Sequence, residues 1–245
     1  MFIQGQSNTA LTQNDFLYAI AHELKTPLSA IIAFSDILKE EINNPKSLEE
    51  CRDYIKEINI AAFDLSELVC DLLDTNQVSS GNFSIDLSSQ IDISDIIKRS
   101  IRLNCDHALR KNIAIKNENF LDSNLINLDE KRTKQILVNL ISNAVKYSPG
   151  NSEIKVVAQN IIAENNQKYL QISIVDQGFG MSDEEIKNVF QKYKTLSNSP
   201  KTLDSFGLGL PIAKQLVELQ NGVIEIKSKI GKGTQVLVKF PYLIQ

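Results

Sequence analysis

Leu48, Cys51, Ile55, Ile58, Ala62, Leu65, Val69 and Leu72 follow one another at steps of 3, 4, 3, 4, 3, 4 and 3 residues. An apolar seam with this repeat, held for more than three heptads, belongs to a long helix that supercoils against partners. A second helical pattern precedes it, from about Ala10 to Ile42, with Phe16, Ile20, Leu24, Ile31, Leu38 and Ile42 keeping to one side. Asn43-Asn44-Pro45 separates the two, because asparagine favours turns and proline disfavours helix in the residue before it. Two long helices joined by a short turn form an antiparallel hairpin. One hairpin buries little apolar surface by itself, so residues 10–80 are expected to pair with a second copy as a dimeric four-helix bundle. The alternative is a hairpin packed on its own second domain. Residues 1–9 are polar and aperiodic, and read as a loose end.

After Ser79-Ser80-Gly81-Asn82 the period changes, which places a domain boundary near residue 80. Short β-type runs occupy Phe83–Leu87, Ile113–Lys116, Ile154–Ile162, Leu170–Val175, Val223–Ser228 and Thr234–Phe240. Helical runs at Ser94–Arg110, Glu130–Lys146 and Leu208–Leu219 lie between them. This mixture predicts an α/β sandwich over residues 81–245, with one helix layer on one sheet.

Composition narrows the function classes. Of 245 residues, 42% are hydrophobic and 23% charged, which is globular rather than disordered. A net charge of −4 gives no global attraction to nucleic acid. The three cysteines, Cys51, Cys70 and Cys105, have no CxxC or Cys/His spacing, so the expected setting is a reducing one such as the cytoplasm. No apolar run approaches the roughly 18 residues needed to cross a bilayer, and the N-terminus lacks the layout of a secretory signal.

In the first helix, His22 lies about 200° round from both Ile20 and Leu24, on the polar side with Tyr18, Lys25 and Ser29. A lone exposed histidine carries no message, but Pro27 lies close by. Proline inside a helix costs about 3 kcal/mol and leaves the carbonyl four residues back, that of Glu23, without its partner. An imidazole with its ordinary pKa of about 6.5 is largely neutral at physiological pH and is then a usable nucleophile. An adjacent carboxylate holds one ring nitrogen protonated and leaves the other free to attack; Glu23 is the candidate.

In the second half, Asn139, Asn143, Lys146 and Tyr147 fall at i, i+4, i+7 and i+8 on one helix face. Asparagine on an otherwise apolar helix is costly unless it binds something. Asn143 offers an oxygen ligand for a magnesium ion that bridges phosphates, and Lys146 offers charge to the phosphates themselves. The plain alternative is a solvated polar face. Asp176-Gln-Gly178-Phe-Gly180-Met181 follows a β-run, with glycines that let the backbone approach a ligand and a carboxylate able to accept from an adenine amine. Ser205-Phe-Gly207-Leu-Gly209-Leu210 opens a helix whose free N–H groups favour phosphate. Neither loop has P-loop or dinucleotide spacing. The polar segment between them, with Pro200, reads as a mobile lid.

In this order the motifs resemble those of the sensor histidine kinases of two-component systems. His22-Glu-Leu-Lys-Thr-Pro-Leu resembles the H box, Asn139–Ser148 the N box, and Asp176–Gly180 the first glycine box. Phe190-Gln-Lys-Tyr193 is similar to the F box, Gly207-Leu-Gly209-Leu210 to the second glycine box, and Gly231-Lys-Gly-Thr234 also fits. The resemblance spans about residues 10–242. It implies a dimerisation and phosphotransfer hairpin followed by a Bergerat-type ATP-binding domain. His22 would receive the γ-phosphoryl group of ATP, with Glu23 as base, and pass it to an aspartate of a response-regulator receiver domain. Asn143 would bind Mg²⁺ and Asn139 arrange the phosphates. Lys146, Tyr147, Gly178, Gly180, Gly207, Gly209, Leu210 and Thr234 would line the nucleotide site, and Asp176 would read adenine. The Glu23-x-x-Thr26 spacing resembles a phosphatase motif whose last residue positions a water. Two positions depart from the family pattern: Ser205 stands where a glycine is common, and Lys194 where an arginine usually supports the γ-phosphate, losing its bidentate fork. The competing class is a phosphotransfer or scaffold protein with a decayed ATP site.

Overall fold

The computed structural model of the chain describes residues 13–41, 48–79, 85–87, 90–163, 166–191 and 207–242. The chain divides into two compact units that part between Leu68 and Val69.

The first unit is built on α1 (Gln13–Glu41) and the opening of α2 (Leu48–Ser79). Phe34, near the end of α1, stacks on Tyr54, near the start of α2, with ring centroids 5.9 Å apart. The two helices therefore run back along each other as a hairpin. Within one chain the heptad seam does not bury as a whole. Cys51, Ile58 and Leu65 are half-buried, whereas Leu48, Ile55 and Val69 remain 79%, 49% and 42% exposed. The most buried apolar residues here are Ile60 and Ala61, which lie off the seam. Of the seven described seam positions three thus serve the hairpin and four, Ala62 among them, face outward, since one neighbouring helix covers only one flank of an apolar stripe. Leu28 and Ile32 of α1 are exposed as well.

The second unit holds a five-stranded sheet in the order β2-β4-β5-β7-β6 and a separate two-stranded pair, β1 with β3. The strands are β1 (Gln90–Asp92), β2 (Ala114–Phe120), β3 (Leu125–Asn127), β4 (Glu153–Ile162), β5 (Lys168–Val175), β6 (Val223–Lys229) and β7 (Gly233–Pro241). Only the β2–β4 pairing is parallel in the large sheet; its crossover carries α4 (Glu130–Tyr147). The remaining helices are α3 (Ile93–Arg110), α5 (Asp183–Asn188) and α6 (Gly209–Leu219). Alternate strand residues form the core face: Ile154, Val156 and Ala158, then Leu170, Ile172 and Ile174, then Val236, Val238 and Phe240. Register aligns them in rows, Val156 against Ile174 against Val236, and Ala158 against Ile172 against Val238. Ile96, Ile97, Ile136, Leu137, Leu140, Ile141 and Leu216 from α3, α4 and α6 join these rows in one core, as expected of a helix layer on a sheet.

Side chains fix the helix ends. Asp92 caps α3 by accepting from Ser94 N and Asp95 N, and Asp129 caps α4 by accepting from Arg132 N. Lys111 Nζ donates to the carbonyls of Val145, Lys146 and Ser148 at 3.0, 2.7 and 3.3 Å, closing the C-terminal end of α4. Burial lowers the Lys111 pKa from its ordinary value.

The expected β-run at Phe83–Leu87 is corrected: residues 85–87 form no strand, and 83–84 lie outside the described residues. Asp86 N donates to the Asp129 carboxylate at 3.1 Å and the Leu87 carbonyl accepts from the Asn127 side chain. Partners on side chains take the place of a ladder. The short β1 and β3 gave no sequence signal of their own. Residues 1–9, the Asn43-Asn44-Pro45 break and Ser80–Asn82 lie outside the described residues.

Candidate active site

Three segments of the second unit meet around one place. The first is α4, whose C-terminal half carries Asn139, Asn143, Lys146 and Tyr147. Asn139 is 7% exposed, and its Nδ2 finds no hydrogen-bond partner among the described residues. A buried amide N–H left in this state is costly, which makes Asn139 a candidate ligand position. Asn143, Lys146 and Tyr147 are half-buried.

The second segment is the start of α6. A Cβ added at Gly209 would lie 3.5 Å from Asn143 Nδ2 and 3.9 Å from Asn139 Nδ2, so both amides face this glycine. Leu208, at the N-cap, makes no side-chain capping bond, and no acidic residue lies in the first turn. The first helical bond is from Ile212 N to the Leu208 carbonyl. The N–H groups of Gly209 and Leu210 therefore lack helical acceptors, and Pro211 has none to offer. An uncapped helix N-terminus beside two amides suits phosphate oxygens. Gly207 takes φ +61 just before it.

The third segment is the loop after β5. Asp176 Oδ1 accepts from Gly178 N at 2.7 Å and from Thr234 N at 3.0 Å, while Asp176 N donates to the Thr234 carbonyl at 2.9 Å. Both side-chain bonds fall on Oδ1, so Oδ2 takes neither. Burial raises the Asp176 pKa from its ordinary value, against the opposing pull of the two N–H groups. The glycines allow close passage. A Cβ at Gly178 would stand 2.7 Å from the Tyr147 carbonyl oxygen, and Phe179 N donates to that same carbonyl at 3.4 Å. Gly180 adopts φ +69 with its α-carbon turned onto the Lys229 carbonyl, where a side chain would overlap. The loop thus binds the end of α4 on one side and the β6–β7 turn on the other.

Two family models match this chain. Residues 12–81 match the His Kinase A (phospho-acceptor) domain. Residues 128–244 match the histidine kinase-, DNA gyrase B- and HSP90-like ATPase. The chain belongs to the sensor histidine kinases. It is 31% identical over 241 residues to the cell-division control histidine kinase PdhS of Brucella ovis, an alignment covering 94% of this chain. The chain spans 22% to 27% of the length of the curated relatives it matches. Among solved structures, it is similar to full-length ShkA in complex with AMPPNP, with TM-score 0.61 and 23% identity over 94% of this chain and 46% of that one. It is also similar to ThkA in complex with the response regulator TrrA, with TM-score 0.57 and 20% identity over 94% of this chain and 61% of that one.

In this kinase core the phosphoacceptor candidate stands on α1. His22 is exposed with Lys25 and Ser29, while Ile20, Leu24, Ile31 and Leu38 are half-buried. The helix continues through Pro27, which is itself buried. Thr26 Oγ1 donates to the His22 carbonyl at 3.2 Å. The side chains of Phe16, Tyr18 and Glu23, together with Tyr193, Lys194, Pro200 and Ser205, lie outside the described residues. Phe190 is described, with Lys214 Nζ over its ring at 5.0 Å. Sequence reasoning missed Ser228 and Gln177. Ser228 Oγ accepts from Met181 N at 2.9 Å, and Gln177 Oε1 accepts from Glu153 N at 2.9 Å. Each acts through a partner distant in sequence, so no local pattern announces it.

Proposed function

We propose that the chain autophosphorylates His22 from ATP and passes the phosphoryl group to an aspartate of a response-regulator receiver domain. The observation that carries this reading is the convergence of the orphaned Asn139 amide, Asn143 and the uncapped N–H groups of Gly209 and Leu210. They form a cradle for polyphosphate at the end of a helix. The donor set also fits a magnesium ion: Asn143 turns its nitrogen toward α6 and keeps Oδ1 to offer, and bound Mg²⁺ would neutralise phosphate charge. Lys146 adds a cationic side chain. Asp176, with Oδ2 uncommitted by its two loop bonds, accepts from the adenine amine, and Gly178, Gly180, Gly207 and Thr234 shape the walls. Lys194 is the proposed lid cation.

His22 attacks the γ-phosphorus with one ring nitrogen. An N–P bond forms, the bond to the bridging oxygen breaks, ADP departs with that electron pair, and the proton on the other ring nitrogen moves to Glu23. Thr26 is assigned to the reverse task, positioning a water for dephosphorylation of the receiver. The functional modules are taken as residues 10–80 and 81–245. Leu48, Ile55, Val69, Leu28 and Ile32 leave an apolar surface on the hairpin, which supports a homodimer through residues 10–80. The complex of ThkA with TrrA supports a receiver as partner. No helix among the described residues is long and apolar enough to cross a membrane, and the reading places this core in the cytoplasm with its ATP.

The deciding experiment incubates the protein with γ-labelled ATP. Label that is acid-labile and base-stable on the wild type, and absent from a His22→Ala variant that still binds nucleotide, is the expected result. Stable label on His22→Ala would overturn the acceptor assignment. Failure of the wild type to label at all would favour a scaffold with a decayed site.

A further inference from the structure

The hydroxyl of Ser228, near the end of β6, sits at the junction of three backbone segments around Asp176. It accepts from Met181 N at 2.9 Å, where the glycine loop ends. It donates to the Gly233 carbonyl at 2.9 Å. It also lies 2.8 Å from Thr234 Oγ1. Thr234 in turn holds Asp176 twice, its N–H on Oδ1 and its carbonyl on Asp176 N.

A serine hydroxyl has one proton and two lone pairs. With that proton on the Gly233 carbonyl, the short contact between the two hydroxyls needs a hydrogen from Thr234. Ser228 then accepts twice and donates once, and its capacity is filled. Thr234 has its proton turned toward Ser228, so only lone pairs remain on Oγ1 for anything else it meets. Asp176 is an acceptor too when ionised. A site walled by acceptors pairs with a purine carrying an amino group at position 6 and leaves a 6-oxo purine without a donor. Unmatched polar groups in a partly buried site discriminate strongly.

The geometry points to Ser228 as a specificity-determining and positioning residue, which sets the Thr234 hydroxyl as an acceptor and thereby selects adenine over 6-oxopurine nucleotides. This rests on the adenine-reading role given to Asp176 above. Ser228 is a positioning residue, acting through Thr234 and the Met181 N–H. Its removal frees the Thr234 hydroxyl to turn its proton outward and serve either purine.

The test compares ATP with inosine triphosphate, which carries a 6-oxo group in place of the 6-amino group. Dissociation constants and autophosphorylation rates are measured for wild type, Ser228→Ala, Ser228→Thr and Asp176→Asn, with melting temperatures as a check of folding. Ser228→Ala is expected to weaken ATP binding and to narrow the preference for ATP over inosine triphosphate, each by roughly tenfold, the scale of one hydrogen bond in a partly buried site. The rate at saturating ATP should hold within about twofold, because the phosphate end is untouched. Ser228→Thr keeps the hydroxyl and should restore the preference. Loss of preference in both variants, or an unchanged preference in a folded Ser228→Ala, overturns the inference. If Ser228→Ala does not fold, the folded Ser228→Thr decides: full preference supports the role and a lost one refutes it. Should Asp176→Asn bind ATP as wild type does, the reading of the base pocket itself fails. A weakened Asp176→Asn beside an unaltered Ser228→Ala refutes Ser228 alone.

Discussion

The Thr26 hydroxyl donates to the carbonyl of His22, one helical turn back, at 3.2 Å. The side chain proposed to position water for dephosphorylation therefore rests on the backbone of the proposed phosphoacceptor. Back-bonding of this kind bends a helix slightly, and it occurs beside Pro27, where the ladder already lacks one N–H. With its proton on the His22 carbonyl the hydroxyl still has lone pairs to accept from a water; to donate to one it must leave that carbonyl, which stays within reach of the Thr26 backbone N–H. Thr26→Ala should leave labelling of His22 nearly unchanged and slow dephosphorylation of the cognate receiver by roughly tenfold, a barrier change of about 1.4 kcal/mol. Both rates are measured on one preparation. Equal loss of the two would assign Thr26 to the helix alone.

The divided seam gives two residues different fates. Ile55 is half-exposed in the single chain, and Leu65 is half-buried against its own hairpin. Ile55→Asp should turn a dimer into a folded monomer in light scattering, with helical circular dichroism retained. Leu65→Asp places a charge where the hairpin packs on itself, at a cost of several kcal/mol, and should lose helicity as well. A stable dimer of Ile55→Asp would remove the outward half of the seam from the interface.

Two glycines of the nucleotide site separate binding from folding. At Gly209 an added Cβ meets the Asn143 and Asn139 amides at ordinary contact distance, 3.5 and 3.9 Å. Gly209→Ala should fold with a stability change within about 0.5 kcal/mol and lose ATP affinity by crowding the cradle. Gly180 has φ +69 and its Cβ would overlap the Lys229 carbonyl. Gly180→Ala should destabilise the fold by at least roughly 1–3 kcal/mol. Thermal melts with and without ATP check both, and a Gly209→Ala variant with wild-type affinity would move the phosphates elsewhere.

Asp176 links nucleotide binding to pH. Burial raises its folded pKa above the unfolded value, so the stability it contributes is present below the unfolded pKa and is lost as pH rises through the folded one. Asp176→Asn should accordingly raise the melting temperature of the nucleotide-free protein at neutral pH, with the gain fading in acid. In the proposed base pocket, adenine binding uses the carboxylate as acceptor. Wild-type affinity should fall on acidification, starting above the ordinary aspartate range, relative to an Asp176→Asn variant that is weak throughout. Taking the ratio of the two removes the titration of the phosphates themselves. A flat ratio would mean that Asp176 does not titrate in the site.

Asn143→Ala should bind ATP better than Asp176→Ala does and yet transfer less, because it removes the proposed ligand for phosphate-charge neutralisation and spares the proposed base contact. Fluorescent-nucleotide titration beside phosphotransfer assays separates the two. Equal defects in both assays would place the two residues in one subsite.

The linear chain determined the helical hairpin, the sheet strands of more than a few residues and the motifs themselves. These rest on periodicity and on residue types whose chemistry is local: the 3–4 steps from Leu48 to Leu72, the alternation along β5 and β7, the asparagines at i and i+4. The glycine loops were legible for the same reason, since glycine takes the positive φ of Gly180 and Gly207 at the least cost. What tertiary structure decided depends on groups distant in sequence. The seam's division between hairpin and outer face follows from the one helix that reaches it. Residues 85–87 failed to become a strand because Asp129 and Asn127 satisfy their backbone from elsewhere. Asp176 became an acceptor locked by Thr234, 58 residues on, and Ser228 joined the site through Met181, 47 residues before it. A single hydroxyl or carboxylate has no periodicity to betray it, and its partners exist only once the strands have closed around it.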